Sequence, residues 1–167
     1  CPRHHDCEHA FHVVGRGRHV VIRNNRLAEF NAAIKVNGVD GDWPDHGELS
    51  HNTLVNAVPR RTDRPVTMFD LVGANHWRVL DNHVSGFVKE GGNGVAYGLF
   101  AKGASEGVRF ERNLVVCTPR NISAPGVRLG ISFGGGGTSP GSCRDASCQT
   151  HEHRNGLAAN NIVAHCN

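Results

Sequence analysis

Lys35, Lys102, His12 and Asp70 are the residues of this chain whose types and spacing suit proton transfer. They emerge when five segments, FHVVG, AIKVNG, MFDLVG, GLFAKG and GISFGG, are aligned on their closing glycine. Apolar and polar residues alternate in each, the period of a half-buried strand. One outward column then reads His12, Lys35, Asp70, Phe100 and Ser132. A second, two residues on, reads Val14, Asn37, Val72, Lys102 and Gly134. With the strands stacked, neighbours in a column stand roughly 5 Å apart, so Lys35 reaches Asp70 and Asn37 lies two strands from Lys102. An amine or imidazole on such a face can take up a proton, and Lys35, Lys102 and His12 are the three candidate bases.

Removing a proton from a carbon next to a carboxylate also needs positive charge to neutralise that carboxylate as the reaction proceeds. The segment GVDGDWPDHGE offers Asp40, Asp42 and Asp45, hard oxygen ligands of the kind that hold Ca2+. Their D-x-D-x-x-D spacing is not an EF-hand loop, and it reads equally as a solvated turn. The Lys35 and Asp70 pair likewise reads as a surface ion pair worth under about 1 kcal/mol. Trp43, Phe100, Asn37 and Ser132 are the contacts expected to touch a ligand on this face. A glycoside hydrolase is a weaker fit, since it needs two carboxylates about 5 to 9.5 Å apart and Asp70 is the only acid in either column.

Other constellations carry less. The six cysteines fall as Cys1/Cys7, Cys143/Cys148 and Cys117/Cys166, without the C-x-x-C spacing of a zinc site. They read as disulfides of an exported protein, secreted or periplasmic, against a metal site at Cys1, His4, His5, Cys7 and His9. His151 and His153 form a second weak metal pair across Glu152. No serine sits in a nucleophile elbow, and the glycines at 134–137 lack the Lys and Ser/Thr of a phosphate loop. Asn121-Ile122-Ser123 is a glycosylation sequon.

The elements that position these residues repeat. Five segments align on one asparagine: VIRNNRL at Asn25, ELSHNTL at Asn52, VLDNHV at Asn82, FERNLV at Asn113 and LAANNIV at Asn161. Three residues earlier stand Ile22, Leu49, Val79, Phe110 and Ala158, and two residues later Leu27, Leu54, Val84, Val115 and Val163. The intervals are 27, 30, 31 and 48 residues, the last enlarged by the loop GGGGTSPGSCRDASCQTHE. Helical periodicity is absent. Short strands at a period near 30 predict an all-β parallel β-helix of about five coils rather than a β-sandwich, each coil burying apolar columns against the next. The asparagines would bond along the stack and occupy the left-handed turn positions. His51, Asp81 and Arg112, each just before its asparagine, would form a charge-linked column at the turn.

On these residues the chain resembles the right-handed parallel β-helix proteins of the pectate-lyase-like superfamily, with Asn25, Asn52, Asn82, Asn113 and Asn161 matching their Asn ladder. The resemblance spans residues 10–167 and is specific for architecture. It implies a glycan lying along the outward strand face between protruding loops, here 134–152 and the GVDGDWPDHGE segment. With the candidate bases, it implies a polysaccharide lyase that opens an acidic, uronate-containing polysaccharide by β-elimination. The other class of function is a non-catalytic β-helix for glycan adhesion, or a structural spike or stalk.

Composition sets the outer limits. The chain has 167 residues (18.0 kDa), 21 glycines, 6% aromatic residues and a mean hydropathy of −0.37. This argues against a helical bundle and fits one domain over 1–167, with a disulfide-looped segment at 1–10 and an inserted loop at 134–152. No apolar run approaches the roughly 18 residues of a membrane span. A net charge of +3 is too small and scattered for a nucleic-acid partner. The chain starts without Met and stops just after a ladder strand. A piece of a longer β-helix, with further coils or a self-association partner at the C-terminal end, is therefore expected.

Overall fold

The computed structural model describes residues 7–120, 123–136 and 138–167. The expectations for Cys1, His4, His5 and the Asn121 sequon fall outside these residues. The fold is all-β, and every ladder between its strands is parallel. Three five-stranded sheets take one strand each from successive turns of chain. The first holds Phe11–Val14, Ile34–Asn37, Val66–Val72, Val95–Lys102 and Val127–Phe133. The second holds Val21–Arg23, Glu48–Ser50, Arg78–Leu80, Arg109–Glu111 and Leu157–Ala159. The third holds Arg26–Ala28, Thr53–Val55, His83–Ser85, Leu114–Val116 and Ile162–Ala164. This arrangement is consistent with a parallel β-solenoid.

The apolar columns read from the repeat line the interior through the fourth coil, whereas Ala158 and Val163 in the last coil are exposed. Ile22, Leu49, Val79, Phe110 and Ala158 pair in register along the second sheet, and Leu27, Leu54, Val84, Val115 and Val163 along the third. From the first sheet, Ile34, Phe69 and Leu99 join Leu49, Val79 and Val84 in one cluster. At ~25 cal/mol per Å² of apolar area, stacking such columns is what holds short strands together.

Between the second and third sheets the five asparagines bond in sequence. The backbone N–H and Nδ2–H of Asn25, Asn52, Asn82 and Asn113 both donate to Oδ1 of the next asparagine, at 2.9–3.1 Å. The second Nδ2–H of Asn82 serves Leu49 O and Leu80 O, each at 2.9 Å. The expectation of left-handed backbone at the asparagines is corrected. The residue before each one takes it: Asn24, His51, Asp81, Arg112 and Asn160 have φ of 53° to 59°. The ladder asparagines themselves are not left-handed, and both of their donors aim along the stack. The polar residues in front of it form the expected turn column, where Arg112 grips Asp81 through two 2.8 Å bonds and holds its carboxyl below the ordinary value.

Two disulfides lie among the described residues, Cys117–Cys166 between coils and Cys143–Cys148 within the long loop. Such bonds persist in an oxidising environment. No described helix is long and apolar enough to cross a membrane.

The expected His151/His153 metal pair does not form. His153 is turned inward, stacked on Phe133 at 4.6 Å and bonded through Nδ1 to Ser105 at 2.7 Å, whereas His151 stays at the surface on Thr150. Burial pushes the His153 imidazole down to about 4. Below pH 6.5 the unfolded chain takes up a proton that the folded chain refuses, so stability present above that pH declines as pH falls toward 4. The loss expected is about 1–2 kcal/mol after allowance for solvent screening. Thermal unfolding between pH 7 and 4.5 measures it, and a His153→Gln variant is expected to show a flatter profile.

Candidate functional site

The outward face of the first sheet carries both columns in the predicted register. His12 pairs with Lys35, Lys35 with Asp70, Asp70 with Phe100 and Phe100 with Ser132. Asn37 pairs with Val72, and Val72 with Lys102. What the alternation does not foretell is a break in the three long strands. Met68 and Phe69, although consecutive, both face the core. So do Gly98 and Leu99, since a Cβ on Gly98 would meet Phe87 and Val115. The outward residues therefore jump from Thr67 to Asp70 and from Tyr97 to Phe100. A local doubling of this kind bends a sheet and re-aims its side chains. Here it brings Tyr97 and Phe100 face to face, 4.1 Å apart and 4° from parallel.

At this bend a cavity of about 460 Å³ opens on the sheet face. Its floor is Lys35, Asp70, Tyr97, Phe100 and Lys102, with Lys89, Asp63, Asn93 and Gly136 on the walls. Lys35 donates a hydrogen bond to Oδ2 of Asp70. Asp70 is only 5% exposed, and its Oδ1 is buried without a hydrogen-bond partner. Lys89 is also 5% exposed and donates to Asn93 Oδ1 at 3.0 Å and to Asp63 O at 3.3 Å. Lys102 lies over the Phe100 ring, 4.8 Å from its centre, and among the described residues no carboxylate is within ion-pair reach of it. Burial, with the charges of Glu152 and Asp70 behind it, raises the Tyr97 phenol above its ordinary value, so it keeps its proton.

Only three of the eighteen lysines and arginines in the chain are lysines, and all three line this one cavity. Among the described residues no arginine does. Lys89, Tyr97, Asp63, Asn93 and Thr67 are the site residues that the two columns miss. Lys89, Asn93 and Asp63 lie outside the aligned segments, and Tyr97 and Thr67 are hidden by the break in alternation. The scarcity of lysine was the one signal in the sequence that singled out Lys89.

Phe100 does not offer the exposed ring that its column implied. It is 2% exposed because Gly136 lies against it, where an added Cβ would stand 2.3 Å from the ring. Glu152 holds Gly136 there, accepting from the N–H groups of Gly135, Gly136 and Thr138 and from the Thr138 hydroxyl. Burial alone would raise the Glu152 carboxyl. These four bonds outweigh it and keep the group ionised below the ordinary carboxylate value.

The remaining expected contacts stand off the cavity. His12 bonds through Nε2 to Asn37 Oδ1 at 2.8 Å at the surface, Asn37 also caps Gly38 O, and Ser132 turns to Gly134 O. Trp43 is laid flat on Gly38 and Gly73, where a Cβ on either would fall within 2.4 Å of the indole, and the Arg144 guanidinium sits 5.5 Å over it. Arg144 also grips Asp45 through two bonds of 2.7 and 3.0 Å. The two predicted walls are thus one wall, joined across 99 residues of sequence.

That joining undoes the expected calcium site at Asp40, Asp42 and Asp45. Asp45 belongs to Arg144 and to Asn75 N–H, Asp42 pairs with Arg16 at 2.7 Å, and Asp40 stands exposed at a left-handed turn position. Carboxylates already neutralised by arginine do not fit a divalent cation. Among the described residues no cluster of three His, Cys, Asp or Glu side chains could hold a metal. Comparisons with protein-family models, with curated proteins and with solved structures find nothing that matches this chain.

Proposed function

We propose that this is an exported right-handed β-helix protein of the pectate-lyase-like kind, whose lysine cavity binds a uronate-containing polysaccharide and cleaves it by β-elimination. The observation that carries the reading is the confinement of every lysine in the chain to one cavity that also holds a protonated phenol. Lys35, bonded to Asp70, and Lys89, held by Asn93, face the carboxylate of the sugar and offset the charge that builds on it. Lys102, which has no anionic partner among the described residues, takes the proton from the carbon bearing that carboxylate. The electron pair of the broken C–H bond forms a C=C bond, and the C–O bond to the leaving sugar breaks. Tyr97 gives its phenolic proton to the departing oxygen, and Lys102 returns one to Tyr97 through solvent. No step uses Asp40, Asp42 or Asp45, because the lysines supply the positive charge. Of the three candidate bases, Lys102 takes that role here, Lys35 with Asp70 supplies positive charge instead, and His12 does not line the cavity.

The test is the ultraviolet absorbance of unsaturated uronate ends after incubation with alginate, pectate and glycosaminoglycans. Signal on one of them that survives EDTA is the expected result. Silence on all three rejects the lyase. New reducing ends without the absorbance would point instead to hydrolysis by Asp63 and Asp70, the two acids that share the cavity.

A further inference from the structure

Successive side chains of a strand point to opposite sides, and the short strand Lys89–Glu90 has a cavity on each. Lys89 lines the lysine cavity, whereas its neighbours Val88 and Glu90 line a second one of about 330 Å³. The path of the chain opens it. As the second and third coils leave the third sheet, Arg60–Arg61 and Lys89–Glu90 pair in parallel, and among the described residues the fourth coil does not continue that ladder. Gly86 keeps the third coil tight on the second: its φ is 76°, and a Cβ there would stand 1.9 Å from Asn56 O. The cleft left between these coils and the fourth has Val88 and Ala124, both nearly buried, at its floor. Its sides are exposed: Val58, at 50%, with Pro59, Pro119 and Pro125.

Proline offers an apolar ring and no N–H, so these sides are poor partners for a hydroxylated sugar. Charge enters only at Arg26, from the first coil, Arg120, from the fourth, and Glu90. Glu90 is already neutralised by Arg61 at 3.1 Å. Among the described residues neither Arg26 nor Arg120 has a carboxylate within ion-pair reach, and both are exposed. A cationic ligand thus finds no free anion here, while an anionic one finds two free guanidiniums, the group best shaped to pair a carboxylate.

We propose that this cavity binds a small apolar monocarboxylate, its hydrocarbon body against Val58 and the three prolines and its carboxylate at the guanidiniums of Arg26 and Arg120. The volume is that of a small-ligand site. The ligand is distinct from the substrate of the lysine cavity. A uronate carries hydroxyls that the proline sides cannot serve, and an aryl- or alkyl-carboxylate leaves nothing polar unpaired.

Calorimetry on the intact chain with 3-phenylpropionate, the neutral 3-phenylpropanol and acetate separates the body from the charge. The phenylpropionate is expected to bind about fivefold or more tighter than the alcohol, and acetate to show no saturable binding at the same concentrations. Because the lysine cavity also attracts carboxylates, variants locate the site. Arg26→Gln combined with Arg120→Gln is expected to bring the acid down to the affinity of the alcohol. Val58→Asp, which sets a like charge in the apolar side, is expected to abolish binding of the acid, and Lys102→Met to leave it unchanged. All three replaced side chains of the cleft are exposed, and an unaltered thermal midpoint checks that these variants fold. Four results each overturn the proposal: no binding of the acid, an acid preference of twofold or less, acetate binding as tightly as phenylpropionate, or binding that survives the arginine replacements and is lost in Lys102→Met.

Discussion

Replacing Lys102 with methionine is expected to lower the turnover of uronate cleavage by about a thousandfold while changing the apparent affinity for substrate only a few fold. Methionine keeps an unbranched stem over the Phe100 ring, so the floor of the cavity is preserved and the loss reports the missing amine. Lys102→Arg is the informative companion. It supplies a cation of similar length, but a guanidinium stays protonated in proteins and cannot accept a proton, so the variant is expected to remain inactive. Lys35→Met should behave differently. It strands the Asp70 carboxylate without its cation, and its defect is expected to fall mainly on KM and on folding stability. Initial rates for the three variants across substrate concentration separate these outcomes, and a Lys102→Arg variant with near wild-type turnover would remove Lys102 as the base.

Asn82→Ala is expected to destabilise the fold by about 3–5 kcal/mol, which in a chain of this length lowers the thermal midpoint by about 10 °C. The change leaves the Asn52 N–H and Nδ2–H without their shared acceptor, removes the side-chain donor to Leu49 O and Leu80 O, and leaves the Oδ1 of Asn113 with only the backbone N–H at position 82. All of these lie in the dry interior of the turn, where missing partners cost the most. Asn82→Asp is expected to be no better, because a carboxylate accepts from Asn52 yet faces two carbonyls and an amide oxygen that it cannot serve. Asn25→Ala, in the first turn, breaks one link of the row and should cost about 1 kcal/mol. Denaturant unfolding of the variants measures the gradient, and equal losses at Asn25 and Asn82 would show that the bonds do not depend on burial.

The columns could be read from sequence because two simple periods set them, the pleat of a strand and the return of the chain after one coil. Lys35 against Asp70 follows from those periods alone, as do the apolar columns that begin at Ile22 and Leu27. The rest of the site depends on events that no period records. The doubled inward residues at Gly98 and Leu99 shift the phase of a strand midway and so conceal Tyr97. Phe100 is covered by a loop that Glu152 fastens from sixteen residues beyond Gly136. Asp45 looks like a cation ligand until Arg144, 99 residues away, claims it. The histidines mislead for a simpler reason. His19, His46, His51, His76 and His165 all occupy left-handed turn positions, with φ of 56° to 62°, where a polar side chain of this kind is among the better tolerated after glycine. Three of them, His19, His46 and His76, stack on one another at 5.1–5.3 Å because the coils do.

The segregation of lysine from arginine has a practical side. A reagent that acylates or reductively methylates primary amines usually spreads over a protein surface and reports on nothing in particular. In this chain every surface cation away from the cavity is a guanidinium, which such reagents pass over, so apart from the terminal amine the only targets are Lys35, Lys89 and Lys102. Ordinary amine chemistry thereby becomes a site-directed label, and the order in which the three react, with and without an oligosaccharide present, maps which of them the sugar shields.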